Sequence, residues 1–168
     1  NIQANHSEKT FSPEITLGEE KNADFTLGVS LQNIPDEFFD LAKASYLDRN
    51  QLLGKIQNSA KLGEATISYN EKGLANKFIN IQAKKTGLSV NKFKDQMIVV
   101  VESESLKSNS EKYKMNIAQL IEFIKQPKNL NIKAKPEPPL KISELVRLAI
   151  MDRELLNKSI DLNVIANK

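Results

Sequence analysis

Histidine, cysteine and carboxylate residues are the side chains through which this sequence could do chemistry. The chain has one histidine, His6, and no cysteine, so the usual nitrogen and sulfur ligands of zinc, copper and iron are missing. A nucleophile activated by an imidazole would likewise depend on His6 alone. The sequence therefore argues against a transition-metal site and a catalytic triad, and we expect no catalytic residue, no metal site and no cofactor.

The carboxylates show no spacing that would make an acid/base pair. Glu19 and Glu20, Glu102 and Glu104, and Glu111 all lie in polar segments, where such side chains are normally solvated. The six glycines are dispersed singly and form no phosphate-binding loop. We therefore predict that the chain is not an enzyme, and we keep an enzyme with a hydroxyl or carboxylate mechanism as an alternative.

Lysines are concentrated in the stretch Lys107–Lys141, which holds eight lysines and three glutamates in a chain of net charge +3. Such a surface could contact phosphates, anionic lipid headgroups or an acidic partner, although a solvated surface has the same composition. The stretch has no arginine and no set of aromatic residues for base stacking, so we expect no nucleic-acid partner. Lys133 and Lys135 alternate along one predicted strand and share its polar face, which makes them candidate ligand or partner contacts.

Strands with one apolar and one polar face must position these side chains. Apolar and polar residues alternate in four segments, which are Phe25–Gln32, Glu64–Asn70, Leu130–Lys135 and Ile160–Asn167. Helical spacing follows the second strand, where Leu74, Phe78 and Ile81 predict one apolar helix face. Because such strands belong to sheets covered on one side, we predict an α+β fold in two layers. It has an antiparallel or mixed sheet of four to six strands with helices on one face.

We expect a flexible arm over residues 1–12, which are polar and without period, and a single α+β domain over residues 13–168. Strand, link and helix recur at 25–46, 65–86 and 130–150, with unequal spacing that favours a repeated supersecondary unit over a solenoid.

No apolar run approaches the roughly 20 residues of a membrane helix, so we expect no transmembrane segment in this chain. The chain begins at Asn1 without a basic and apolar leader, and we expect a signal peptide to have been removed.

Three segments resemble a known group of proteins. The strand and turn Leu62–Leu74, a helix that reaches Ala83–Ser89, and the strand Asn129–Pro136 are similar to uncharacterised proteobacterial cell-envelope or periplasmic proteins, over roughly residues 62–168. The matching residues are structural, and no catalytic motif is among them. The resemblance implies export past the inner membrane and a role that is not enzymatic.

The leading hypothesis is an exported binding or scaffolding module of the periplasm or cell envelope. In a sharper version of it, the space between helices and sheet holds a lipid or another apolar molecule. Six side chains could line such a space, although their spacing is also typical of a core: Phe38, Phe39, Phe78, Phe93, Met97 and Phe123. The alternative is a protein interaction module that uses the exposed sheet face, with another envelope protein as partner. The sequence leaves the ligand, the oligomeric state and the strand order open.

Overall fold

The structure is a computed structural model that describes residues 1–19, 22–43, 46–106 and 108–168. Its strands are β1 (Ile2–Asn5), β2 (Thr10–Glu19), β3 (Ala23–Gln32), β4 (Lys61–Glu71), β5 (Asn129–Pro136), β6 (Leu140–Lys141) and β7 (Ile160–Ala166). Its helices are a 3-10 helix (Asp36–Lys43), α1 (Tyr46–Ser59), α2 (Leu74–Lys85), α3 (Val90–Ser105), α4 (Glu111–Lys125), α5 (Ile142–Met151) and α6 (Arg153–Ser159).

The strands form one antiparallel sheet in the order β1-β2-β3-β4-β5-β7, and β6 pairs with β4. The predicted α+β class and antiparallel sheet are confirmed, while the predicted four to six strands fall short of the seven observed. α3 continues through Met97–Val101, although this segment is rich in β-branched residues. None of the helices that the structure describes combines the length and the apolar character that crossing a membrane would require.

The amino-terminal residues form regular structure. β1 pairs antiparallel with the beginning of β2, with Ile2 opposite Pro13 and Asn5 opposite Thr10. The prediction of an arm without structure up to Ser12 is therefore wrong. Its failure has a physical reason: all residues of β1 are exposed, and an edge strand is held by backbone hydrogen bonds that leave no apolar pattern in the sequence.

After Pro35 the chain forms the 3-10 helix, in which the Phe38 N–H donates to the Pro35 carbonyl at 3.0 Å. The Phe38 ring packs edge-on against Phe11, with centroids 4.7 Å apart. Phe39 stacks on His6 at 4.6 Å. The single histidine thus lies in the turn between β1 and β2, against an aromatic ring.

The chain divides into two compact units. Unit 1 comprises Asn1–Ile15, Leu27–Thr66 and Lys133–Leu162, and unit 2 comprises Thr16–Thr26, Ile67–Ile132 and Asn163–Lys168. The expectation of a single domain over residues 13–168 stays a prediction. Two of the predicted repeats contain a strand followed by an α-helix, whereas in 25–46 the 3-10 helix follows β3.

In unit 1, α1 packs against α5 and β6, and α5 packs against α6. The side chains of Ile34, Leu52 and Leu148 are buried there, at 1%, 4% and 2% exposure. Burying an aliphatic side chain of this size contributes roughly 1.5–3 kcal/mol, so these three positions anchor the unit.

In unit 2, α3 packs against both α2 and α4, and α4 closes the outer edge of β7. The Asn116 side-chain carbonyl accepts the Val164 N–H at 3.0 Å, and the Gln119 carbonyl accepts the Ala166 N–H at 3.0 Å. The N–H groups of successive residues in an extended strand point to opposite sides. The Asn167 N–H donates to the Asn129 carbonyl of β5 at 2.9 Å, so the N–H groups of Val164 and Ala166 point away from β5. Side-chain amides thus satisfy an edge that would otherwise be open to pairing.

Candidate binding surface

Lys133 and Lys135 lie exposed on β5 in unit 1, and each has a carboxylate partner. The Lys133 ammonium is 2.7 Å from Glu64 on β4, and the Lys135 ammonium is 2.6 Å from Glu137. The hydrogen bond to Glu137 raises the pKa of Lys135. Because both ammonium groups already have partners, an incoming carboxylate would have to replace an existing pair. Use of this face by a protein partner stays a prediction.

Two clefts in unit 1 are lined mainly by polar residues. One, of about 220 Å³, lies among hydroxyl, amide and carboxylate side chains of β2, β3 and β4. Gly28 leaves room in it, since a Cβ there would lie 2.5 Å from the Thr66 hydroxyl oxygen. The other, of about 710 Å³, lies between the 3-10 helix and α1. At its rim Lys9 is 3.0 Å from Asp36, and this hydrogen bond lowers the pKa of Asp36.

These clefts, in which most lining residues are polar, contain none of the aromatic and methionine side chains that the sequence offers as the lining of an apolar ligand space. Their lining also offers no cluster of ligating groups: among the described residues, no three His, Asp or Glu side chains are grouped to hold a metal ion. The large apolar side chains left in water are found elsewhere. In unit 2 six of them lie on the strands β2, β3 and β4 and on α2, and four more lie on or at the end of α3 and on α4.

The sheet part of this surface begins with Leu17 and Phe25. Thr16 and Thr26 share a side-chain hydrogen bond of 3.1 Å across β2 and β3, and the same register places Leu17 opposite Phe25 on the other face. Leu17 is 69% exposed and Phe25 is 45% exposed. The alternation in the sequence predicts correctly that Phe25 points to the apolar face, but helices do not bury it there.

An aromatic row continues from Phe25 along the same face. Tyr69 on β4 meets the Phe25 ring edge-on at 5.6 Å, and Phe123 on α4 meets Tyr69 at 5.7 Å. Ile67, two residues before Tyr69 and therefore on the same face, is 36% exposed. Helix α4 thus covers the Tyr69 end of the row and leaves the Phe25 end in water.

The helical part of the surface lies on α2. Leu74, Phe78 and Ile81 are 44%, 52% and 43% exposed, whereas Ile79 and Ala83 are buried. The helix therefore has two apolar faces, and the one that the sequence predicts as the packing face is the outer one. The 3.6-residue period identifies an apolar face but does not tell which of two faces meets the protein.

The beginning of α2 is fastened to the beginning of β3. The Asn22 carbonyl accepts the N–H groups of Lys72 and Leu74 at 3.1 and 2.8 Å. The Lys72 ammonium is 2.7 Å from Asp24. These contacts bring the helical residues to the end of the hairpin that carries Phe25. We call the whole set the apolar patch, which consists of Leu17, Phe25, Ile67, Leu74, Phe78 and Ile81.

Glu71, the last residue of β4, caps the first turn of α2. Its carboxylate accepts hydrogen bonds from the Tyr69 hydroxyl and from the N–H groups of Gly73, Ala75 and Asn76, the last three at 3.0, 2.9 and 3.2 Å. A carboxylate there meets the unpaired amides and the positive end of the helix dipole. Gly73 has φ 138°, a conformation that glycine adopts without strain.

The cap also explains two pKa shifts. Burial alone raises the pKa of Glu71, but the hydrogen bonds from Tyr69 and the backbone amides outweigh it, so the pKa lies below its ordinary value. Burial and the bond to Glu71 raise the pKa of Tyr69 to about 12. Sequence reasoning missed this pair; a glutamate two residues before a helix-opening glycine is the signal that could have shown it.

No curated protein and no solved structure matches this chain. A family model does match, over residues 17–167, and its description is "Uncharacterized protein". The match agrees with the resemblance to an uncharacterised family but does not support a proteobacterial origin. Because the matched residues make up most of the chain, the protein belongs to this uncharacterised family.

Proposed function

We propose that the chain is a non-enzymatic binding module that holds an apolar ligand, such as a lipid acyl chain, on the apolar patch of unit 2. One observation carries this proposal: six large apolar side chains of unit 2, between 36% and 69% exposed, lie on α2 and on the strands β2, β3 and β4. Exposed apolar surface of this kind is unfavourable in water by roughly 25 cal/mol per Å² and is typical of interaction sites.

The chemistry of the patch favours an apolar ligand over a polar one. Its side chains offer van der Waals contacts only, and two polar groups at the junction of strand and helix already bond within the protein. The Tyr69 hydroxyl bonds to Glu71, and Lys72 bonds to Asp24. A ligand that needed strong hydrogen bonds would gain little here, whereas an acyl chain would remove apolar surface from water on both molecules.

We also propose that the protein acts after export, in the periplasm or cell envelope. The support is the resemblance of residues 62–168 to envelope proteins. Fractionation of the native host tests this part separately: the product of the full gene should be found, with its leader removed, outside the inner membrane. Recovery of an unprocessed product from the cytosol would contradict it.

Titration with a fluorescent fatty-acid probe tests ligand binding. The wild-type protein should bind the probe saturably, and the double variant Leu17→Ser, Phe25→Ser should bind at least about tenfold more weakly, because two large contacts are lost. The matched control is Ile150→Ser on α5 of unit 1, where the replaced side chain is 77% exposed, and it should leave binding unchanged. A wild-type protein that shows no saturable binding would refute the proposal.

A further inference from the structure

A second concentration of lysines lies in unit 2, outside the stretch that the composition singles out. Residues 72–94, which form α2 and the first turn of α3, carry six lysines and no acidic residue. These are Lys72, Lys77, Lys84, Lys85, Lys92 and Lys94. The segment that carries the helical part of the apolar patch therefore has charged residues of positive sign only.

Three of these lysines lie beside or in line with the exposed apolar residues of α2. Lys77 and Lys84 are seven residues apart and lie on one side of the line of Leu74, Phe78 and Ile81, and Lys85 continues that line one turn after Ile81. All three lysines are exposed. An exposed helix with Leu, Phe and Ile on one face and lysines beside them has the pattern of helices that lie in a membrane interface.

The ammonium groups of Lys77, Lys84 and Lys85 are available to an anion. Among the described residues, no carboxylate forms a salt bridge with them. In contrast, Lys114 and Lys125 of the sequence-predicted basic stretch pair with Glu111 and Glu122, each at 2.9 Å. The three lysines of α2 therefore offer positive charge without a carboxylate partner beside the helical part of the apolar patch.

We propose that α2 docks unit 2 on an anionic lipid bilayer, with Leu74, Phe78 and Ile81 at the boundary of headgroups and acyl chains and the three lysines at the lipid phosphates. The inference rests on the proposed function, because it uses the same apolar patch and names a bilayer as the source of the lipid. A flat surface fits better than a groove in an acidic protein, since Ile79 and Ala83 are buried and only one face of α2 is free to make contact. Lysine stems can cover apolar surface while their charges reach the phosphates.

Sedimentation of the full chain with lipid vesicles tests this docking. The protein should bind vesicles of phosphatidylcholine with one-third phosphatidylglycerol at least about tenfold more tightly than vesicles of phosphatidylcholine alone, and high salt should weaken the binding. The triple variant Lys77→Gln, Lys84→Gln, Lys85→Gln should lose about tenfold or more. The matched control Lys112→Gln, Lys125→Gln, Lys128→Gln removes the same charge from unit 2 and should stay close to the wild type.

The remaining outcomes separate the explanations. An equal loss in both triple variants would overturn the assignment to α2, because binding would then follow net charge alone. Phe78→Ser should also weaken vesicle binding, and unchanged binding would overturn the insertion of the apolar face. The protein could fail to bind anionic vesicles and still bind the fatty-acid probe in a way that the Leu17→Ser, Phe25→Ser variant weakens. This result would overturn bilayer docking and leave the proposed function standing. Binding to an acidic protein without binding to vesicles would identify a protein as the partner and overturn the lipid surface.

Discussion

The Tyr69 hydroxyl donates a hydrogen bond to the Glu71 carboxylate, and this pair joins the sheet part of the apolar patch to its helical part. The Tyr69 ring lies between Phe25 and Phe123, while the Glu71 carboxylate receives the first amides of α2. Because the two residues lie at the end of one strand, the position of α2 is tied directly to the middle of the aromatic row. A binding surface made of a strand and a helix needs such a connection to keep its shape.

The variant Glu71→Gln should lower the free energy of unfolding by about 1–2 kcal/mol, because the neutral amide loses the charge that complements the start of α2 and is a weaker acceptor. Urea unfolding followed by circular dichroism measures the difference. Glu122→Gln is the matched control, since Glu122 is 57% exposed and pairs with Lys125 on the helix surface. Its effect should stay below about 0.5 kcal/mol, and equal effects in the two variants would contradict the capping role.

The contribution of Glu71 should depend on pH in the acid range. Its pKa in the folded protein lies below the ordinary value of 4.5, so the stabilisation is complete above that value and is lost as the pH falls through the lower folded pKa. Melting temperatures of the wild type and Glu71→Gln should differ at neutral pH and converge in acid. A difference that stays constant into acid would show that the glutamine variant is less stable for another reason.

Tyr69 should titrate later than an ordinary tyrosine. Its pKa rises from 10.0 to about 12, so its stabilising contribution is present below pH 10 and is lost as the pH rises through the folded value. In a pH titration followed by tyrosinate absorbance, one of the three tyrosines should ionise at a higher pH than an ordinary tyrosine, in a separate late step. Tyr69→Phe should remove that late step, whereas Tyr113→Phe should retain it; a late step that persists in Tyr69→Phe would assign it to another residue.

The sequence predicts the elements of this protein better than the surroundings of their side chains. Alternation identifies the strand that begins near Phe25 and the face to which Phe25 points, because the period of a strand is a local property. What covers that face is decided by distant helices, so the exposure of Phe25 could not be predicted. The cap made by Glu71 was missed for a related reason, since it depends on the turn through Gly73. His6 lies in a segment whose strand pairing leaves no apolar pattern.

The last prediction concerns the outer edge of β7. There the buried side-chain amide of Asn116 accepts a backbone hydrogen bond that a neighbouring strand would otherwise accept. Asn116 is 7% exposed and accepts the Val164 N–H, so Asn116→Ala would leave that buried N–H without its side-chain acceptor, at a cost of about 1–3 kcal/mol. Asn80→Ala on the exposed part of α2 is the matched control, because both changes gain the same helix propensity. The control should be neutral or slightly stabilised in urea unfolding. If both variants behave alike, the bond to Val164 does not stabilise the edge, and burial of Val164 itself must keep β7 in place.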